Sequence, residues 1–195
     1  MFLDYDQVEL DAAYNQAAYA PLMGQILKRF ASNSDAARAR IGEPRREPYG
    51  ATEVEHLDIY RTARVKAPIF LYIHGGAWLA VDAAKNYAFA AEMLVNAGVH
   101  FVAPEFISVD KTGGDLNVMA DQVRRAIAWT YKNAASFGGD PEQLFIAGHS
   151  SAGHLCGVAL VTDWRNSFGL PLEHCEGRSL HEWNVRSQGR ATFSP

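Results

Sequence analysis

The sequence predicts an α/β fold, with a doubly wound, mostly parallel sheet that has helices on both faces. Apolar, strand-like runs alternate with segments of helical periodicity between residues 54 and 161. The connections between them are short, as expected for successive strand–helix–strand units with right-handed crossovers. Residues 68–73, PIFLYI, form an unbroken apolar run. Such a run is typical of a strand covered on both faces in a parallel sheet.

The other elements follow along the chain. The first 40 residues predict two short helices, interrupted at Pro21 and by the Ser-Asn-Ser run at 32–34. Residues 41–50 contain turn-forming and charged residues and predict an exposed connection. The rough alternation at 54–60 predicts a strand near the sheet edge. Further strands are predicted at 99–103 and 143–148, and helices at 87–97, 115–137 and 152–161.

This pattern divides the chain into three parts. Residues 1–49 are predicted to form an N-terminal helical cap or arm, and residues 50–171 the α/β core. Residues 172–195 are charged and lack any periodicity, which predicts an irregular tail. A chain of 195 residues with 48% hydrophobic content is long enough for one substantial core.

Composition narrows the classes of function. The net charge is -4, with acidic and basic residues mixed along the chain, so neither a nucleic acid nor an anionic membrane is an expected partner. Cys156 and Cys175 lack disulfide-framework or metal-ligand spacing. The N-terminus has acidic residues where a signal peptide is basic, and no run approaches the ~20 apolar residues of a membrane span. We expect a cytoplasmic protein, and the sequence predicts no oligomeric state.

The segment QLFIAGHSSAGHL predicts a serine at a sharp turn between a strand and a helix. In such a nucleophile elbow, the residues two before and two after the serine must be small. Centred on Ser150, these residues are Gly148 and Ala152; centred on Ser151, His149 would crowd the turn. We therefore favour Ser150 as the nucleophile. The alternative is a serine that only caps the following helix.

A second motif, HGGAW at 74–78, directly follows the apolar run at 68–73. The backbone amides of Gly75, Gly76 and Ala77 could turn toward one point and, together with the amide of Ser151, stabilise an oxyanion. His74 is expected to orient this loop by local packing. Two motifs of one mechanism, in the expected order, are more specific than either alone.

The HGGAW, FGGDP and AGHSSAGHL strings resemble the hormone-sensitive-lipase-like branch of the α/β-hydrolase fold, and within it the bacterial esterases similar to kynurenine formamidase (arylformamidase). The resemblance covers most of residues 50–170. It implies cleavage of small carboxylic esters or N-formyl amides through an acyl-enzyme on Ser150, with no cofactor or metal. Ala152-Gly153 departs from the two glycines, or Gly then Ala, that are common there.

The resemblance places the triad base and acid after the nucleophile, but neither can be assigned here. His154 lies on the predicted helix after the elbow and is interpreted as a packing or surface residue. His174 and His181 fall in the tail, which is either an irregular terminus or the product of a frameshift after about Leu172. With freely chosen codons read one base later, the tail can spell an apolar strand followed by SGMYDL. We therefore expect a C-terminally truncated hydrolase.

Two functions stay open. The first is a serine hydrolase that is inactive or very weak as this chain, because it lacks an identifiable base and acid. The second is a non-catalytic fragment or binding module on a hydrolase scaffold. Trp78, Tyr87 and Phe89 could line an acyl or aromatic pocket, but such residues are more often part of a core, and we assign them no role.

Overall fold

A computed structural model describes residues 4–80 and 82–171 of the chain. The expectations for the tail, including the frameshift and His174 and His181, concern residues outside these ranges. The strands are β1 Arg45–Pro48, β2 His56–Tyr60, β3 Ala67–Ile73, β4 His100–Pro104 and β5 Gly139–Gly148. The helices are α1 Gln7–Tyr14, α2 Gln16–Tyr19, α3 Met23–Ile41, α4 Ala88–Asn96, α5 Leu116–Asn133, α6 Ala152–Leu160 and α7 Trp164–Phe168.

Within the described ranges, the strands form one sheet in the order β1-β2-β4-β3-β5. β3 is parallel to both of its neighbours, β4 and β5, whereas the β1–β2 and β2–β4 pairs are antiparallel. Helices α3 and α4 pack on one face of the sheet, and α5 and α6 pack on the other. The predicted α/β fold, wound on both faces, is therefore confirmed for this part of the chain.

Strand β3 is the centre of the fold. Its side chains alternate between two hydrophobic clusters: Leu71 and its neighbours at 69 and 73 pack against α5 and α6, while Phe70 and Tyr72 pack against α4. Because a strand points successive side chains to opposite faces, an unbroken apolar run satisfies both clusters at once. This is the physical reason that residues 68–73 predicted a doubly covered strand.

The long helix α5 also follows its prediction. The side chain of Asp115 accepts a hydrogen bond from the backbone N–H of Asn117 and caps the helix start. After α5 the chain tightens into a 3₁₀ turn at Ala134–Phe137, and Gly138 ends it with φ of 88°. A left-handed residue of this kind is the usual stop after a helix, and glycine adopts it without strain.

The predicted break at residues 32–34 is wrong, because α3 runs through it without interruption. Ser34 is fully buried, and its hydroxyl accepts a hydrogen bond of 3.3 Å from the backbone N–H of Phe89 on α4. Farther along α3, Arg40 forms a two-point ion pair with Glu92. These contacts with α4 outweigh the weak local helix propensity of the polar run.

The predicted connection at 41–50 contains a strand instead. β1 pairs with β2, and the guanidinium of Arg46 lies 2.8 and 3.0 Å from the two carboxylate oxygens of Asp58. β2 therefore lies near the sheet edge, as predicted, but as the second strand from the edge it is almost wholly buried. The short, charged β1, which ends at Pro48, covers its outer side, as edge strands commonly do.

Among the described residues, no helix combines the length and the apolar character needed to cross a bilayer.

We expect Leu71→Ala to lower the free energy of unfolding by about 2–5 kcal/mol, because it removes a fully buried side chain from the centre of β3. Urea unfolding followed by circular dichroism measures this change. Val65→Ala is the control: Val65 is 82% exposed, so its loss should cost less than about 0.5 kcal/mol. Equal effects of the two substitutions would contradict this account of the core.

Candidate active site

The elbow lies between β5, which ends at Gly148, and α6, which begins at Ala152. Ser150, at the turn, has φ of 57°, a left-handed conformation that costs a non-glycine residue about 1–3 kcal/mol. The backbone N–H of Ala152 donates to the carbonyl oxygen of His149 at 3.1 Å, and the backbone N–H of Gly153 donates to the carbonyl oxygen of Ser150 at 2.9 Å. The strand-to-helix turn expected at this serine is therefore present, and its backbone is strained at Ser150 itself.

The residues around the elbow must be small because neighbouring atoms leave little room for a larger side chain. A Cβ added at Gly148 would lie 2.8 Å from both the carbonyl oxygen of Ala152 and the sulfur of Cys156. The methyl group of Ala152 is fully buried, so the turn accommodates this departure from the usual glycine. Burial raises the pKa of the Cys156 thiol to about 12. Cys156 therefore packs beneath the elbow as a neutral thiol. Since the thiolate is the nucleophilic form of cysteine, we assign this residue a packing role and not a chemical one.

The loop that follows β3 has an unusual backbone. Gly76, Ala77 and Trp78 have successive positive φ angles of 129°, 54° and 62°. The N–H groups of Leu79 and Ala80 both donate to the carbonyl oxygen of Gly76, at 2.9 and 3.1 Å, and close the turn. Consecutive residues in such conformations turn their amides toward a common concave side, where a negative charge can bind.

The loop and the elbow are in contact. A Cβ built on Gly75 would lie 2.5 Å from the carbonyl oxygen of His149 and 3.1 Å from the Cβ of Ser150. The backbone N–H of Trp78 donates to the hydroxyl of Ser151 at 3.3 Å. Because β3 and β5 are parallel neighbours, both segments leave the same edge of the sheet. The two sequence motifs therefore meet at one place.

Three of the four amides predicted to form the oxyanion hole have no partner among the described residues, whereas the fourth, the backbone N–H of Gly75, hydrogen-bonds the Tyr87 phenol. Across residues 4–80 and 82–171, the N–H groups of Gly76, Ala77 and Ser151 donate to no acceptor. Backbone donors are seldom left without a partner. Unpaired amides beside a strained serine are therefore suited to an external oxygen.

His74 lies at the base of the loop, as expected, but its principal partner was missed by the sequence analysis. Its Nε2 is 2.9 Å from a carboxylate oxygen of Glu105, its Nδ1 is 3.0 Å from the carbonyl oxygen of Gly75, and its ring stacks on Phe106. Both His74 and Glu105 are only 2% exposed. Glu105 directly follows β4. An acidic residue at the end of an apolar strand was the one feature of the sequence that could have indicated this buried partner of His74.

Among the described residues, no side chain is placed as a base beside the nucleophile. In the part of the chain that is described, no side chain hydrogen-bonds the Ser150 hydroxyl. His154 is exposed and lies edge-on to Trp78, with ring centroids 6.2 Å apart, as a surface or packing residue would.

Trp78 packs partly buried against the core, and its indole nitrogen is buried without a partner among the described residues.

Tyr87 and Phe89 belong to the cluster between α3, α4 and the sheet, as the core interpretation predicted. Burial raises the pKa of the Tyr87 phenol, and the hydrogen bond from the neighbouring Gly75 backbone lowers that pKa by a smaller amount.

Within the described ranges there is no group of three or more His, Cys, Asp and Glu side chains placed to hold a metal ion.

We expect Gly75→Ala to lower the free energy of unfolding by about 1–3 kcal/mol, because its methyl group would overlap the backbone of His149. Thermal or urea unfolding measures this loss. Gly153→Ala is the matched control: nothing lies within 4 Å of its added methyl, and alanine favours a helix by up to about 1 kcal/mol. If Gly75→Ala were as stable as the unchanged protein, the loop–elbow contact would be refuted.

Comparison with known proteins supports the resemblance to esterases and kynurenine formamidases that the sequence motifs indicated. The BD-FAE family model matches residues 57–185. Kynurenine formamidase of Danio rerio is 29% identical over 164 residues, which cover 80% of this chain and 54% of that protein. Kynurenine formamidase of Salmo salar is 35% identical over 119 residues, covering 60% and 38%. The chain thus spans about half or less of the length of these relatives.

Among solved structures, the apo form of Thermogutta terrifontis esterase 2 superposes with a TM-score of 0.56 and 21% identity. The match covers 72% of this chain and 53% of the esterase, and at this identity it establishes likeness of fold. The family match, in contrast, extends over well over half of the sequence. The chain therefore belongs to the BD-FAE family and has an α/β-hydrolase fold.

Proposed function

We propose that this protein is a serine hydrolase of carboxylic esters or N-formyl amides, with Ser150 as its nucleophile. One observation supports this most directly: the strained serine and the unpaired amides of the preceding loop lie side by side at one edge of the sheet. A turn that only capped α6 would need neither the strain at Ser150 nor the left-handed loop against it.

In the first proposed step, the Ser150 oxygen attacks the carbonyl carbon of the substrate and loses its proton to a base. The C–O bond forms as the carbonyl π electrons move to oxygen. The N–H groups of Gly76, Ala77 and Ser151 donate to this oxyanion. Each such donor typically stabilises the transition state by about 3–4 kcal/mol.

Collapse of the tetrahedral intermediate then breaks the bond to the leaving group, which departs as an alcohol or amine after taking a proton. The acyl or formyl group stays on Ser150 as an ester. Water hydrolyses that ester, releases the acid and restores the hydroxyl. The two proton transfers require a general base and acid, which we propose lie outside the described residues.

The proposed substrate class is supported by the names of the relatives. They include kynurenine formamidases of two fishes and Esterase LipQ of Mycobacterium tuberculosis. Esters and formyl amides share a carbonyl that a serine can attack, and a small uncharged substrate suits the net charge of -4. The same two backbone elements can serve both reactions, because the oxyanion is common to them.

The second candidate, a non-catalytic fragment or binding module, is favoured by a different observation. No imidazole in the described ranges hydrogen-bonds Ser150, and a serine hydroxyl without a base is a weak nucleophile. Loss of a triad member lowers kcat by several powers of ten, while oxyanion stabilisation survives. The two candidate functions therefore predict very different values of kcat but similar binding of a substrate carbonyl at the oxyanion loop.

We expect a fluorophosphonate probe to attach covalently to Ser150, slowly because no described base activates its hydroxyl, since the oxyanion loop beside this strained serine can stabilise the charge that develops on the phosphonyl oxygen. Thermogutta terrifontis esterase 2 is phosphonylated by cyclosarin. Intact-protein mass and peptide mapping identify the labelled residue. Ser150→Ala should abolish labelling, and Ser151→Ala, which keeps its backbone amide, should retain it. Labelling at Ser151, or none in the unchanged protein, would overturn the assignment.

We also expect this chain to hydrolyse p-nitrophenyl acetate or N-formylkynurenine at least about 10³-fold more slowly than ordinary enzymes, whose kcat is about 10 s⁻¹. The physical reason is that no side chain among the described residues is placed to act as the base. Release of p-nitrophenol, compared with Ser150→Ala as background, measures this. Turnover near the ordinary rate would show that the described or remaining residues do supply a base.

A further inference from the structure

The imidazole of His74 has an unusual arrangement of partners. Its Nε2 faces a carboxylate oxygen of Glu105 at 2.9 Å, and its Nδ1 faces the carbonyl oxygen of Gly75 at 3.0 Å. A carbonyl oxygen can only accept a hydrogen bond, so Nδ1 must be protonated. The state of Nε2 then depends on whether Glu105 accepts or donates.

The surroundings of Glu105 favour the ionised carboxylate. One of its oxygens accepts from the backbone N–H of Phe106 at 3.3 Å, and the other accepts from the backbone N–H of Ala84 at 3.2 Å. Hydrogen bonds from two amides stabilise the charged form of a carboxyl group. A carboxylate can only accept, so the Nε2 of His74 must donate to it.

We propose that Glu105 is a positioning residue that holds His74 as a buried imidazolium directly beneath the oxyanion loop. This inference rests on the proposed function for its catalytic meaning, but the charge state stands on hydrogen bonds alone. With both ring nitrogens protonated, His74 donates to Glu105 and to Gly75 at once. The loop is thereby tied to the end of β4 through one ring.

Position gives this cation its effect. His74 lies two residues before Gly76, the first of the proposed oxyanion donors, and its ring stacks on Phe106 at a centroid distance of 4.3 Å. Because the ion pair is 2% exposed, water and salt screen it little. The imidazolium holds the Gly75 carbonyl by a hydrogen bond and adds positive potential near the place where the oxyanion forms.

Other groups near the pair are compatible with this assignment. The Tyr49 hydroxyl donates to the backbone carbonyl of Glu105 at 2.6 Å, so it does not compete for the carboxylate. The Arg46 guanidinium interacts with Glu105 only at longer range, because its two-point partner is Asp58. Among the described residues, His74 is therefore the cation that directly contacts this carboxylate.

Nuclear magnetic resonance tests the charge state in the chain as it exists. With ¹⁵N-labelled histidine at about pH 7.5, where a free imidazole of pKa about 6.5 is mostly neutral, we expect two protonated ring nitrogens for His74. His74→Gln identifies the signal among the seven histidines. Glu105→Gln should convert His74 to a singly protonated ring. Glu55→Gln, which removes another buried carboxylate, paired with Arg125, should leave His74 unchanged.

Fluorophosphonate labelling links the pair to function. Glu105→Gln should slow the labelling of Ser150 about tenfold, less than the ~10²-fold that follows loss of an oxyanion donor itself. A singly protonated His74 in the unchanged protein, or an unaltered doubly protonated ring in Glu105→Gln, would overturn the proposal. Absence of labelling in the unchanged protein would instead refute the proposed function, and the resonance result would still decide the charge state.

Discussion

The contact between the Gly75 loop and the elbow is the constraint on which the rest of the structure depends. Gly75 approaches the His149 carbonyl and Ser150 so closely that a single methyl group would not fit. This approach exists because β3 and β5 are parallel neighbours whose carboxyl ends reach the same edge of the sheet. In open α/β sheets this edge is where ligands bind, since successive loops converge there.

The strain at this edge is supported by the packing below it. Ser150, Ala77 and Trp78 all have positive φ angles, which a non-glycine residue adopts at a cost. The two strands that hold these loops pair through Ile69–Ile73 and Leu144–Gly148, and they are buried against α5 and α6. A rigid, densely packed scaffold can sustain strained turns at its rim, because relaxing them would require the whole core to shift.

A third strand contributes through a buried polar group. Glu105 follows β4, accepts from two backbone amides and contacts His74, so the ends of β4 and β3 are joined by an ion pair or a hydrogen bond with little solvent access. Buried polar groups of this kind are costly unless every partner is present. Here the partners are present, and the result is a fixed orientation of the loop that begins at Gly75.

The sequence by itself determined the strands and helices of the core, the sharp turn at Ser150 and the small residues around it, because each is governed by local periodicity or by crowding between near neighbours. It did not reveal that α3 continues through residues 32–34, that β1 covers β2, or that Glu105 lies against His74. Glu105 lies 31 residues from His74, and Phe89 lies 55 residues from Ser34, whereas β1 pairs with β2 through residues 8 to 14 positions apart. Contacts between distant segments override weak local preferences, and only the folded chain decides which segments meet.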